Sequence, residues 1–102
     1  CAQGYGHPDF LPWFARGDVD AMERALRQDY QIYGQTAWAT AWKGSRADLL
    51  LLSSLPAEEV ARMRLRPIRS LAEAEAFVRA KHGDGAPAYV IPYGASTLPV
   101  LA

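Results

Sequence analysis

The 102-residue sequence has a single cysteine, Cys1. No internal disulfide can form, so the fold must stand on packing alone, as in reducing compartments. Apolar runs are short. None approaches the roughly 20 residues of a membrane helix, and no signal peptide is visible, so no membrane partner is expected. Charge of either sign is not in excess, with 11 basic and 11 acidic residues. A chain that is neutral overall lacks the surplus of Lys and Arg that phosphate backbones require, which argues against nucleic acid as a partner. Histidine is scarce too. His7 and His82 are far apart, and no Cys, Asp or Glu stands at zinc-ligand spacing from either. No glycine-rich dinucleotide fingerprint follows a strand, and there is no phosphate loop. Internal repeats and low-complexity tracts are also absent.

What remains is an ordinary globular composition, half hydrophobic, able to support one modest core. Gly4, Gly6 and Pro8 keep the first nine residues irregular. Asp9 can cap a short helix over Phe10–Arg16, with Pro12 in its first turn and Gly17 as its stop. Asp18 can cap the next helix, where Val19, Met22, Leu26 and Tyr30 recur at helical spacing. Gly34-Gln35-Thr36 opens a third helix running to Lys43, with Ala37, Trp38, Ala41 and Trp42 on its apolar side. Asp48–Ser53 reads as a buried strand, continuously apolar as a parallel strand covered on both faces should be. Pro56, Glu58 and Glu59 mark a helix start, and that helix ends near Met63. Arg66–Arg69 supplies a brief strand near an edge, because Pro67 cannot donate to a ladder. Ser70-Leu71-Ala72-Glu73 is a capping box. It opens a helix that turns Leu71, Ala74, Phe77 and Val78 inward and closes at Gly83. Ala88–Ile91 is the last strand.

This alternation predicts an α/β fold, a small three-layer unit with a short parallel sheet of about three strands flanked by helices. Residues 1–33 form a helical connector and 34–102 the alternating unit. The opening Cys1-Ala2-Gln3, without an initiator Met, reads as part of something longer. An N-terminal cysteine can alternatively be a processed nucleophile. The aromatic residues Trp13, Phe14, Tyr33 and Trp38 are candidates for a surface that meets a missing partner.

Ligands of open parallel sheets bind beyond the carboxyl ends of the strands. Here those ends are Ser53-Ser54 and Pro92–Thr97. The second could present backbone N–H groups to an anion or be a plain turn. Gly34–Ala37 is another candidate, with free N–H groups at a helix start and side-chain donors on Gln35 and Thr36. Arg62, Arg64, Arg66 and Arg69 form a basic cluster that suits a solvated edge.

Three segments, Gly4-Tyr5-Gly6-His7-Pro8, Tyr33-Gly34-Gln35-Thr36-Ala37 and Pro92–Val100, together resemble the C-terminal domain of the nickel-dependent lactate racemase family. Leu52–Pro56, Val60, Met63 and Ser70–Ala74 between them are similar as well. The resemblance implies a racemase or epimerase of a 2-hydroxy acid. In that family a nickel pincer nucleotide attached to a lysine accepts and returns a hydride, and two histidines handle the hydroxyl proton. Nothing in this chain matches those residues. The resemblance places them in an N-terminal catalytic domain of the same chain, leaving no catalytic or metal-binding residue here. It assigns substrate-side contacts to Tyr33, Gln35 and Thr36. Two other readings stand beside it: a stand-alone small-molecule binding module with a flavodoxin-like sheet, and a structural domain without a ligand. A self-sufficient module should begin with a strand, whereas this chain begins in an aromatic, glycine-rich connector.

Overall fold

The structure, a computed structural model, describes residues 3–101. Cys1 lies outside that range, and with it the reading of an N-terminal nucleophile.

A 3-10 helix spans Leu11–Arg16, with Pro12 in its first turn as expected. Asp9 does not cap it. The Asp9 carboxylate lies 3.6 Å from His7 Nδ1, and the Asp9 N–H donates to the same nitrogen at 3.3 Å. Helix α1 covers Val19–Gln28, and Asp18 caps it by accepting the Ala21 N–H at 2.8 Å. Met22 is its fully buried residue. Tyr30 lies past the helix end and is 64% exposed, so it leaves the stripe that the spacing assigned to it.

Helix α2 covers Ile32–Gly44, starting two residues before Gly34. Ala37 and Ala41 are fully buried, Trp38 is half-buried and Trp42 is exposed with Arg46 over its ring. Alanines at these positions let α2 approach its neighbours closely. Gly34 carries that to the limit: a Cβ there would fall 2.3 Å from Trp13 Cε2, far inside van der Waals contact with the indole.

Strand β1, Leu50–Leu52, pairs in parallel with β2, Arg66–Ile68, with Leu51 opposite Pro67. Between them runs α3, Ala57–Arg62, with Glu58 and Glu59 in its first turn. Its exit is a Schellman turn: Arg64 N–H donates to the Ala61 carbonyl and Leu65 N–H to that of Val60. The left-handed position of that turn is occupied by Arg64, with φ 62°, where glycine is usual. Arg64 instead donates from its guanidinium to the Gly17 carbonyl.

Helix α4, Leu71–His82, opens on the expected cap. The Glu73 N–H donates to Ser70 Oγ at 3.2 Å, and the Glu73 carboxylate accepts the Arg69 N–H at 2.9 Å. Its inward face differs from expectation. Leu71 is 70% exposed, Val78 is exposed, Ala74 and Phe77 are half-buried, and no residue of the helix is fully buried. The helix is held by the Arg66 guanidinium over the Phe77 ring at 4.7 Å and by an ion pair from Lys81 to Asp48.

The result is a mixed helix and strand fold with a two-stranded parallel sheet. Ala88–Ile91 forms no strand among the described residues, and Tyr89 and Val90 are 92% and 89% exposed. Leu52 is exposed as well, so β1 is not covered on both faces. A single core joins Leu11, Trp13 and Phe14 of the 3-10 helix to Met22, Ala37, Ala41, Val60 and Met63. Trp13 and Phe14 are therefore buried core residues, not partner-facing ones, with the indole against Gly34 of α2 and Phe14 edge-on to Phe10.

Candidate functional site

The start of α2 gathers two of the three motif segments. Tyr33 lies against His7, ring centroids 3.8 Å apart and planes inclined by 6°. Gly34 accepts the Trp13 ring beneath it. Thus the Gly4–Pro8 and Tyr33–Ala37 segments touch, and the absence of a side chain at Gly34 has a packing reason.

Gln35 and Thr36 are not the first residues of the helix. The Gln35 N–H already donates to the Gln31 carbonyl at 2.9 Å. The N–H groups without an intrahelical acceptor belong to Ile32, Tyr33 and Gly34, and Gln31 provides no side-chain cap. Thr36 turns its hydroxyl back onto its own helix, donating to the Ile32 carbonyl at 3.2 Å.

The three expected contact residues do not share one surface. Successive helical residues rotate by about 100°, so Tyr33 and Gln35 point to nearly opposite sides. Tyr33 meets His7. Gln35 meets Tyr30, whose hydroxyl donates to Gln35 Oε1 at 2.8 Å. On that second side a groove of about 220 Å³ runs between α1 and α2, lined by Glu23, Leu26, Arg27, Tyr30, Gln35 and Trp38. Its charges cancel: Arg27 donates to Glu23 Oε1 through Nε at 3.0 Å and Nη2 at 2.7 Å. The remaining walls are apolar.

The carboxyl ends of the strands form a separate cleft of about 480 Å³, lined by Ser53 and Ser54 after β1 and by Arg69 and Glu73 near the start of α4. Ser53 Oγ is engaged locally, accepting the Leu55 N–H at 3.3 Å. The Pro92–Thr97 segment does not line this cleft. It closes on itself in a short 3-10 turn at Gly94–Ser96, with the Thr97 hydroxyl donating to the Tyr93 carbonyl at 2.8 Å. The arginine cluster is likewise divided: Arg64 and Arg66 hold the fold together, while Arg62 and Arg69 face solvent.

Among the described residues, no group of three or more His, Cys, Asp or Glu side chains could hold a metal ion. These residues do not fit a nickel centre. Near the sheet, the Lys81 hydrogen bond holds the Asp48 carboxyl below its ordinary pKa. That pair links α4 to the segment before β1 and stands apart from the α1–α2 groove. Sequence reasoning missed Tyr30 and His7 as neighbours of the expected site. Tyr30 carried a helical-stripe signal, and only the chain reversal between α1 and α2 brings it onto Gln35. Family models, curated proteins and solved structures were compared with the chain, and none matches it.

Proposed function

We propose that this chain is the C-terminal domain of a cytoplasmic enzyme like the nickel-dependent lactate racemases, interconverting stereoisomers of a 2-hydroxy acid. The hydride chemistry belongs to a nickel pincer nucleotide held by an N-terminal catalytic domain of the same polypeptide, since the residues here do not suit one. This segment by itself is inactive and supplies a substrate-side surface at the start of α2.

The observation that carries the reading is the meeting of two motif segments there, with His7 stacked on Tyr33. A second observation fits a domain that docks on another. The chain exposes 7941 Å², against roughly 5,700 Å² for a folded monomer of its mass. Much of the apolar exposure falls on Leu71, Val78, Tyr89, Val90, Leu98 and Val100. In the complete protein Ala88–Ile91 becomes the third strand of the parallel sheet, and its apolar side chains are then covered. A stand-alone flavodoxin-like module fits less well, because a two-stranded sheet leaves both its edges open.

The test is racemisation. The longer protein, carrying its matured nickel cofactor, is incubated with single enantiomers of a panel of 2-hydroxy acids, and the products are resolved by chiral chromatography. At least one acid should be racemised, and Gln35→Ala should lower kcat/KM by roughly tenfold, the loss of one polar contact. Absence of racemisation across the panel sinks the reading.

A further inference from the structure

We infer that the outer edge of β1 is the docking edge for a third strand, Ala88–Ile91 of the same chain, which gives the sheet the order β2-β1-β3. The inference rests on the reading above, in which that segment joins the sheet, and fixes where it docks.

Neither edge of the two-stranded sheet carries a further strand, but only one has backbone donors to offer. In a strand the N–H and C=O of one residue point to one side and those of the next residue to the other. The Arg66 N–H donates to the Leu49 carbonyl at 2.8 Å, so Arg66 and Ile68 face β1, and Leu65, Pro67 and Arg69 face away. None of these outward residues has a donor to spare. The Leu65 N–H donates to the Val60 carbonyl at 3.2 Å, Pro67 has no N–H, and the Arg69 N–H donates to the Glu73 carboxylate at 2.9 Å. By the same alternation Leu49 and Leu51 face β2, and Leu50 and Leu52 face outward. Among the described residues, nothing accepts the outward N–H of Leu50 or Leu52.

The helices lead to the same edge. Leu51 packs on the core cluster that contains Val60, so α3 covers the face carrying Leu51 and Pro67. The Arg66 guanidinium lies over the Phe77 ring, so α4 covers the opposite face. Crossovers between parallel strands are right-handed. Two right-handed crossovers on opposite faces step in opposite directions along a sheet. The step from β1 to β2 is therefore followed by a step back across β1. Residues 83–87 can extend to about 17 Å, which exceeds the two strand spacings of about 4.8 Å that this step crosses.

The segment suits the place. Tyr89, Val90 and Ile91 are strand-forming residues whose side chains are exposed without a partner strand. Ala86 and Ala88 already line a groove of about 330 Å³ with Leu71, Ala74 and Val78 of α4. Leu52, exposed at the edge of β1, is covered once a strand lies beside it. The reversal of strand order at β1 also sets Pro92–Thr97 beside Ser53-Ser54, where open parallel sheets take their ligands.

The experiment is cross-linking in the longer protein, with Cys1→Ser and paired cysteines. Adjacent strands hold Cα atoms within the roughly 4.4–6.8 Å that a disulfide requires. Leu52→Cys is combined in turn with Tyr89→Cys, Val90→Cys and Ile91→Cys, and Ile68→Cys with the same three. After mild oxidation, linked peptides are identified by mass spectrometry. At least one Leu52 pair should close within a single chain, and no Ile68 pair should. Closure from Ile68, closure between two chains, or closure from neither position overturns the inference. Amide exchange gives a check without cysteines. Because N–H groups alternate, only one of Tyr89→Pro and Val90→Pro removes a donor to β1, and that variant should lose at least tenfold of the protection of the Leu50 and Leu52 amides. Equal exchange in wild type and both variants overturns the inference too. Closure at Leu52 without racemisation by the longer protein leaves the strand order standing and removes the racemase reading. Racemisation with closure at Ile68 does the reverse.

Discussion

The two ends of the chain are built on different terms. From Leu11 to Met63, short helices bring small residues together, and Ala37, Ala41 and Gly34 let large rings lie against backbone. From Leu71 onward, apolar side chains of similar size face solvent, and contacts to the rest of the molecule include a cation over a ring, an ion pair and the hydrogen bonds of the α4 cap. Hydrophobic content does not separate these regions. What separates them is whether a second surface lies opposite. Close packing contributes dispersion contacts and excludes water, whereas an unopposed apolar face contributes neither.

Substitutions at matched rings should expose that difference most strongly. Trp13→Ala empties the centre of the core and should cost about 3–5 kcal/mol, while Tyr89→Ala should stay within about 0.5 kcal/mol. Both are read from urea midpoints at constant slope. Comparable losses in the two variants would mean that the C-terminal segment packs in solution. Gly34→Ala strikes the same contact from the other side. Overpacking of about 1–3 kcal/mol or more outweighs the gain in helix propensity of about 1 kcal/mol, so net destabilisation is expected. A stabilised variant would show that the Trp13 ring can move away.

Smaller effects belong to the open region. Ser70→Ala should cost about 1 kcal/mol through loss of the α4 cap, and an unchanged urea midpoint would show that α4 unfolds independently of the core. The smallest effect concerns Asp48. Its folded pKa lies below its unfolded one, so the pairing with Lys81 stabilises the fold at pH above the unfolded value of about 3.9. That contribution fades as pH falls through the lower, folded value. Asp48→Asn should therefore be slightly less stable than wild type near neutrality and converge with it in acid. A constant gap between the two at every pH would assign Asp48 a role other than charge.

Local signals were legible wherever the physics is local. The Asp18 cap, Pro12 in a first turn, and the Ser70 and Glu73 interactions all depend on residues within four of one another. Apolar periodicity identified Met22, Ala37 and Ala41. It misled at Leu71 and Val78, because a stripe marks a face that can be buried without saying what stands opposite. The run Leu50–Leu52 was recognisable as a strand, whereas its incomplete cover was not. At the candidate site, Gln35 stood out for its donors, but its partner did not. Tyr30 reaches it only through the reversal between α1 and α2, and the opposite orientations of Tyr33 and Gln35 follow from a helix that starts two residues earlier than Gly34 suggested.

The large exposed area has a calorimetric consequence. Both the denaturant slope and the heat-capacity change of unfolding scale with the surface that unfolding uncovers. With 7941 Å² already in contact with water when folded, the chain uncovers roughly a fifth less than a globular protein of equal mass. Its urea transition should be broad for its length. Its stability curve should also be shallow, so that warming and cooling from the optimum alter the folded population less steeply than in a domain whose two ends are equally well packed.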